Sequence, residues 1–442
     1  MIGINRSVNG SCSWTFKMVK KRNAMKHLFY EGAAWRTVFL LFVLIAVGIP
    51  KLFIHLEYWQ WNLLQCLISI ISAAISVIAD TRMGTRYFTG FMMGLGIFTI
   101  LFFLFEMFYG TLQTSYKLSN IFNLLSSYSF VLFSLPIYYM LRKEYISLKE
   151  ILLIVAVSTG ISLIIRFSLS FIESNFGIAF CPDISLENAA KGWIRNGIVR
   201  INPPSLSALT VGICMYWLLY EAKYKVLFGS ILILQVVYTN LIHAARSTFL
   251  VSLVAIFILL VFKARKTRLT YIVLSLLGLF FCLAVLYEPV FDSVLSFIGS
   301  FSANGSSDLA GSTVVRLRGL DFFTSLYLNT NPILGLGALG YQEQIALSGG
   351  YTFDDLGSLG FLFQYGLVGF LFYLMIYGRA LQACMRGRTC KYLHVRELGQ
   401  LVLGFLIVLI MGSVNIDLFY MYAASAPILV AISEYVIFSA ED

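Results

Sequence analysis

Runs of about twenty apolar residues recur along this chain from residue 37 almost to its end, and they leave few folds open. They fall at 37–56, 61–80, 88–109, 121–141, 151–171, 204–222, 226–243, 248–263, 270–287, 356–378, 399–415 and 418–438. The short seventh and eighth runs also read as one broken hairpin. A helix of about twenty residues crosses ~30 Å of hydrocarbon. The chain is 59% apolar and 12% charged, with a mean hydropathy of +0.82. So few polar residues cannot cover a soluble exterior, and lipid takes the place of water as solvent. The expected fold class is all-α: a polytopic membrane protein of about 12 transmembrane helices. It forms a single transmembrane domain over 37–442, preceded by a basic segment at 1–36.

The formal net charge of +10 would suggest nucleic acid in a soluble protein. Here the charge lies in short loops, so no nucleic acid is expected, and the placement of the charges reports orientation instead. With the N-terminus in the cytoplasm, every inner loop is basic. Arg82 and Arg86, Arg142 to Lys149, Lys223 and Lys225, Lys263 to Arg268, and Arg379 to Arg396 all fall inside. An even number of crossings then puts both termini in the cytoplasm. No cleavable signal peptide is expected, because the basic segment before the first apolar run is too long for a signal n-region. The seven cysteines are scattered, with no C-x-x-C pair and only Cys181 in a far-side loop. Zinc, redox chemistry and a structural disulfide are not expected.

Two outer loops are long, at about 172–203 and 288–355, the second lying between the ninth and tenth runs. Long polar loops on one face of a helical bundle are where a site for a non-membrane substrate is built. The second carries VRLRGLDFFTSLYL, an amphipathic helical pattern suited to lying flat on the outer surface, then NPILGLGALGY. GLGALG reads G-x-G-x-x-G, but no strand precedes it, so it is read as a turn.

Arginine is the unexpected residue on this face. Arg166, Arg195, Arg200, Arg246, Arg316 and Arg318 all map to the outer side, which the positive-inside bias should deplete. Arg166 lies inside the fifth run and Arg246 at the lip of the eighth. An arginine in or at a span faces a partner or a wet cavity, and its planar fork suits oxyanions, phosphate above all. For Arg166 the competing reading is a side chain that snorkels to lipid headgroups. Arg200 precedes a proline pair that opens the sixth run, where the positive end of a helix dipole adds to an anion site. Asp354 and Asp355, in YTFDDLGSLG, stand at the mouth of the tenth run. Either is a good N-cap, and either is a candidate base at the membrane edge; the two roles are compatible. Trp193, Tyr341 and Tyr351 are loop aromatics that either stack on a substrate ring or simply pack.

No HExxH, GxSxG or P-loop appears, and the four histidines lack ligand spacing, so no metal and no cofactor is expected. Any reaction must run on arginine, carboxylate and the charge of the substrate.

IVRINPPSLSALTVGI, HAARSTFLVSLVAIFIL, STVVRLRGLDFFTSLYLNTNPILGLGALGY and DDLGSLGFLFQYGLVGFLFYL occur in that order. Together they resemble the O-antigen polymerase and O-antigen ligase superfamily, nearer the Wzy-type polysaccharide polymerases. The motifs cover about residues 195–378. The resemblance implies a GT-C-like, metal-independent glycosyltransferase. It would join undecaprenyl-diphosphate-linked repeat units into surface polysaccharide (O-antigen, capsule or exopolysaccharide). The site would lie on the outer face of a bacterial plasma (inner) membrane. It further implies lipid-linked glycan as both donor and acceptor, and a chain-length regulator and a flippase as partners. By motif position, Arg200, Arg246 and Arg316 match the family's arginines, with Arg318 competing for the last role. Ligases carry His-Asn ahead of the G-x-x-G element; here those positions hold Asp355 and Leu356, a departure toward the polymerase branch. The expected site therefore has Asp355, Arg246 and Arg200 as catalytic residues. Arg316, Arg166, Arg318, Asp354, Tyr341 and Trp193 contact substrate. The alternatives are a ligase and a flippase for lipid-linked oligosaccharide. The absence of an internal repeat and the clustering of charge at one edge weigh against the flippase.

Overall fold

Apolar side chains stay on the outside of this molecule in continuous stripes. The computed structural model describes residues 31–54, 56–84, 86–113, 117–178, 194–195, 197–243, 246–264, 308–414 and 422–441. Helix α1 covers 31–47, α2 Tyr58–Met83 and α3 Gly90–Gln113. Leu64, Leu67, Ile71, Ile75 and Ile78 on α2, and Ile97, Leu101, Leu104, Phe108 and Leu112 on α3, are all exposed. Water would not tolerate patches of that extent on a soluble chain, whereas lipid tails match them. The next helix, α4 (Leu118–Arg142), is the reverse: 89% of its apolar window is buried, against 33% for α2 and 28% for α3. It is the central post. Phe133 stacks on Phe42 of α1 at 3.9 Å, and Tyr128 packs edge-on against Phe102 of α3. Its middle, Ser126–Phe133, tightens to a 3-10 helix just before Pro136. Proline has no N–H for the Leu132 carbonyl, and its ring crowds that oxygen, so regular α-geometry gives way there.

The remaining helices are α5 (Leu148–Phe176), α6 (Ser207–Tyr220), α7 (Lys225–Leu241), α8 (Arg246–Ala264), α9 (Asp308–Asn329), α10 (Tyr341–Ser348), α11 (Gly357–Thr389), α12 (Leu393–Gly412) and α13 (Ser425–Glu441). Six helices are long and apolar enough to cross a membrane among the described residues: α2, α3, α4, α5, α11 and α12. The fold is thus an all-α, multi-pass membrane architecture. The helices α6, α7 and α8 are shorter, and α7 and α8 are separate helices. The ninth predicted run, 270–287, lies outside the described residues. Within the second long loop, α9 matches the amphipathic stretch.

Among the described residues the fold holds one piece of β structure that the apolar runs do not announce. Ile194–Arg195 pairs antiparallel with Ile198–Val199, Ile194 opposite Val199. In the sequence the dipeptide between the two strands is Asn-Gly, the usual signal for a two-residue hairpin, and Gly197 has φ +75°. Ser170 donates to the Val199 carbonyl at 2.6 Å and Ser174 accepts the Val199 N–H at 2.8 Å, docking the hairpin on α5.

Basic residues tie one end of the bundle together. Arg36 donates to the Tyr145 carbonyl at 2.6 Å, Lys149 pairs with Glu221 at 2.7 Å, and Arg386 pairs with Glu441. Lys263 lies over the Tyr220 ring at 4.0 Å. Deeper in, Arg379 of α11 is paired with the fully buried Glu434 of α13, which also accepts from Thr89 at 2.8 Å.

Helix α11 is broken at Gly366, whose φ of 64° and ψ of −166° are not helical. A break frees carbonyls and N–H groups that hydrocarbon cannot satisfy. The segment Pro332–Gly337 fills the gap. Leu336 and Gly337 donate to the carbonyls of Phe363 and Gln364, both at 2.9 Å. Leu367 and Val368 donate to those of Pro332 and Ile333, both at 3.1 Å. Gly335 and Gly366 meet backbone to backbone, and a Cβ on Gly366 would collide with the Ile333 carbonyl oxygen. The GLGALG stretch is therefore more than a turn: it is the missing wall of a broken span.

Gly366→Ala is expected to lower stability by ~1–3 kcal/mol from the left-handed φ alone, and further through the Ile333 collision. Gly94→Ala on α3, where nothing lies within 4 Å, is the control, and thermal unfolding in detergent compares them. Arg379→Met alone leaves Glu434 buried without its cation and is expected to cost ~3–5 kcal/mol, most of it recovered when Glu434→Leu is added.

Candidate functional site

Four ties hold the stretch 200–205 that leads into α6. Arg200 donates through Nε to the His243 carbonyl at 2.8 Å, three residues ahead of Arg246, the first residue of α8. Tyr238 of α7 donates to the Ile201 carbonyl at 2.9 Å. Arg166 of α5 donates through Nη1 to the Asn202 carbonyl at 2.7 Å. Ser425, the first residue of α13, donates to the Ser205 carbonyl at 2.8 Å. Three helices, α5, α7 and α13, together with His243 just past α7, thus grip one short loop, mostly through its main-chain oxygens.

Arg166 does not snorkel. It also donates through Nη2 to the Val47 carbonyl at 3.2 Å and through Nε to Ser162 at 3.2 Å. Val47 ends α1, and its carbonyl is one of the orphan acceptors of a helix C-terminus. Ser162 donates to the same oxygen at 2.7 Å. All three guanidinium nitrogens bond to protein, so Arg166 acts as a clasp between α1, α5 and the loop. His243 is almost fully buried, and neither ring nitrogen has a hydrogen-bond partner among the described residues.

A second group forms around α9. Its inner face, with Phe323 and Tyr327, packs with Phe353, Leu356 and Phe363. Phe323 and Phe353 have ring centroids 4.4 Å apart. That packing sets α9 against the 3-10 turn Phe353–Leu356, which carries Asp354 and Asp355. The N-cap of α11 is Leu356, without a side-chain cap. The Ser358 N–H goes instead to the Ser413 carbonyl at 2.7 Å. The backbone position that would let either aspartate cap α11 is therefore taken by its neighbour. The side chains of Asp354, Asp355, Arg195 and Arg246, and the whole of Trp193, lie outside the described set. Arg316 is partly buried, with its Nε enclosed, while Arg318 is exposed and lines an open hollow with Asp321, Ser325, Asn329 and Tyr351. Tyr341 is exposed at the start of α10 and does not line that hollow. Beside it Glu343 is pushed above the usual carboxylate range by desolvation, partly offset by the Gly340 N–H.

The two groups border the same pair of helix ends. Ser413, at the end of α12, receives Ser358 next to the aspartate turn. Tyr422, ahead of α13, shares a hydrogen bond with Thr248 in the first turn of α8, and Ser425 holds the 200–205 loop. The structure thus brings Arg166, Arg200 and the Arg246 position together, and puts the Asp354–Asp355 turn at the same end of the bundle.

Two features escaped the sequence reading. The Asn-Gly hairpin that sets the approach of Arg200 carries a short-range signal that the apolar runs mask. Glu106 of α3 is fully buried, with neither oxygen partnered among the described residues. Its signal is a lone carboxylate in the apolar run FFLFEMFYG. Tyr109, one turn on, donates to the Gly335 carbonyl at 3.2 Å, so Glu106 lies near the segment that fills the α11 break. Among the described residues no group of three or more His, Cys, Asp or Glu is placed to hold a metal.

No protein-family model matches this chain, and no curated protein matches it.

Arg166→Leu is expected to strand the Asn202 carbonyl, to leave the Val47 carbonyl to Ser162 alone, and to cost about 1–3 kcal/mol. Hydrogen exchange at 198–206 should rise with it. Arg166→Lys should restore only part, because one ammonium cannot span both oxygens.

Proposed function

We propose that this chain polymerises oligosaccharide repeat units carried on undecaprenyl diphosphate. It would work as a metal-independent glycosyltransferase at the outer face of a bacterial plasma membrane, with the basic end of the bundle toward the cytoplasm. The observation that carries the reading is the meeting of the Arg200 loop, the Arg246 helix start and the Asp354–Asp355 turn around the α12 and α13 ends.

The chemistry follows from the charges. The anomeric C–O bond to the lipid diphosphate breaks, and the diphosphate leaves with added negative charge. Arg200 and Arg246, beside the N-terminus of α8, would stabilise that charge. Arg200 is anchored by its Nε, so its fork is held rather than searching. Arg166 would serve by fixing the loop. The hydroxyl of the acceptor glycan attacks the anomeric carbon from the opposite side, and Asp355 takes its proton. The product is one repeat longer, with an inverted anomeric centre, and lipid diphosphate is released. Arg316 and Arg318 on α9 would orient the glycan near the carboxylates. The motif order of the sequence supports the same assignment, and the Asp355-Leu356 pair favours polymerase over ligase. A break such as that in α11 is a transporter feature. Here Pro332–Gly337 plugs it, which supports a scaffold over a substrate path.

Purified protein in liposomes, given undecaprenyl-diphosphate-linked repeat units and a chelator, should yield a ladder of lengthening glycans. Arg246→Ala and Asp355→Ala should each lower the rate ~10²–10³-fold, as loss of a charge-stabilising or proton-accepting group does. Folded protein that gives no ladder from its native repeat unit would sink the polymerase reading.

A further inference from the structure

The outward face of α9 is built differently from the arginine loop. Arg318, Asp321, Phe322, Ser325 and Asn329 recur at helical spacing and, with Tyr351, line an open hollow of about 580 Å³. The opposite face of α9 is locked into the Phe323–Phe353 cluster, so these side chains project from a fixed support. Tyr351 is fixed as well. Its N–H donates to the Ser348 hydroxyl at 2.7 Å, and that hydroxyl donates back to the Tyr351 carbonyl at 2.8 Å. Gly319 leaves room for Tyr351 to pack directly against α9. The Phe322 and Tyr351 rings stand 6.4 Å apart at 45°, two tilted apolar surfaces beside four polar side chains.

The chemistry of the lining selects its ligand. One cation and one carboxylate cancel, so the hollow is no phosphate cradle, and a single carboxylate is a poor metal site. Hydroxyl, amide, carboxylate and guanidinium groups around aromatic faces suit a neutral ligand rich in hydroxyls that also presents apolar C–H surfaces. Sugar rings have both. The volume lies within the ~300–1,000 Å³ of small-ligand sites. Tyr351 is three residues ahead of Asp354.

We propose that this hollow is a glycan subsite, resting on the polymerase reading above, which seats a sugar of the lipid-linked chain against Tyr351 and Phe322. Arg318, Asp321, Ser325 and Asn329 bond its hydroxyls.

The test uses full-length protein in nanodiscs and oligosaccharides released by mild acid from the lipid-linked intermediates of the source cells. Saturation-transfer NMR should show contact to sugar C–H protons. Tyr351→Ala and Asp321→Asn should each weaken binding about tenfold, while Tyr351→Phe keeps most of it. Asp321 is exposed, so its variant does not depend on refolding the cluster. Unchanged affinity in both weakening variants, or no sugar contact in the wild type, overturns the proposal. Displacement of the sugar by inorganic pyrophosphate also overturns it, because the hollow would then be an anion site. Sugar binding that obeys these variants without any glycan ladder leaves the subsite standing and removes the polymerase. A ladder made at wild-type KM by Tyr351→Ala and Asp321→Asn does the reverse.

Discussion

A main-chain polar group inside hydrocarbon must find its partner within the protein, and the stretch from α9 to α11 is arranged around that demand. The break at Gly366 exposes two carbonyls and two N–H groups, and Pro332–Gly337 answers all four. That pairing fixes where the chain leaves α9, where α10 begins, and the path back to Phe353. Gln344 of α10 extends the same logic: its side chain donates to the Leu339 carbonyl and accepts the Phe353 N–H. The turn that carries Asp354 and Asp355 is thus positioned by bonds that begin at a helix break some ten residues further on.

The other half of the candidate site relies on charge directed at carbonyls. Arg166 and Arg200 each use a guanidinium to hold backbone from a distant part of the chain. Hydrogen bonds from a charged donor are about twice as strong as neutral ones. They suit a loop whose main chain must keep a fixed path between helices. The ends of α12 and α13 join the two halves, one through Ser413 and one through Tyr422 and Ser425.

Much of the fold was legible because period and length dominate in lipid. Apolar runs located most of the described long helices to within several residues, though α11 continues to Thr389 past its run and α10 has no run of its own, and the Ser147–Glu150 capping box that opens α5 is written in the sequence. The break at Gly366 was not legible, since FLFQYGLVGF continues the apolar pattern through it and one glycine is common in such runs. For the site, the helical stretch that becomes α9 could be read, and Arg166 and Arg200 stood out as arginines in or beside an apolar run. The direction in which Arg166 turns could not, because snorkelling and clasping place the same residue type at the same depth. Leu356 rather than an aspartate stands at the cap position, and the Ser413 carbonyl just past α12 accepts the N–H of Ser358, the second residue of α11. No local pattern foretells a partner that far along the chain.

The grip on the 200–205 loop has an evolutionary side. Tyr238, Arg166 and Ser425 hold the carbonyls of Ile201, Asn202 and Ser205, which every residue type possesses. Asn202 and Ser205 can be exchanged without losing that grip, whereas Ile201 is buried against Tyr238 and Arg200 reaches back to His243. Selection therefore acts on the clasping residues scattered over three helices and on Arg200 and Ile201 within the loop. Kinship in such a protein would show as a spaced set of tyrosine, arginine and serine together with those two positions.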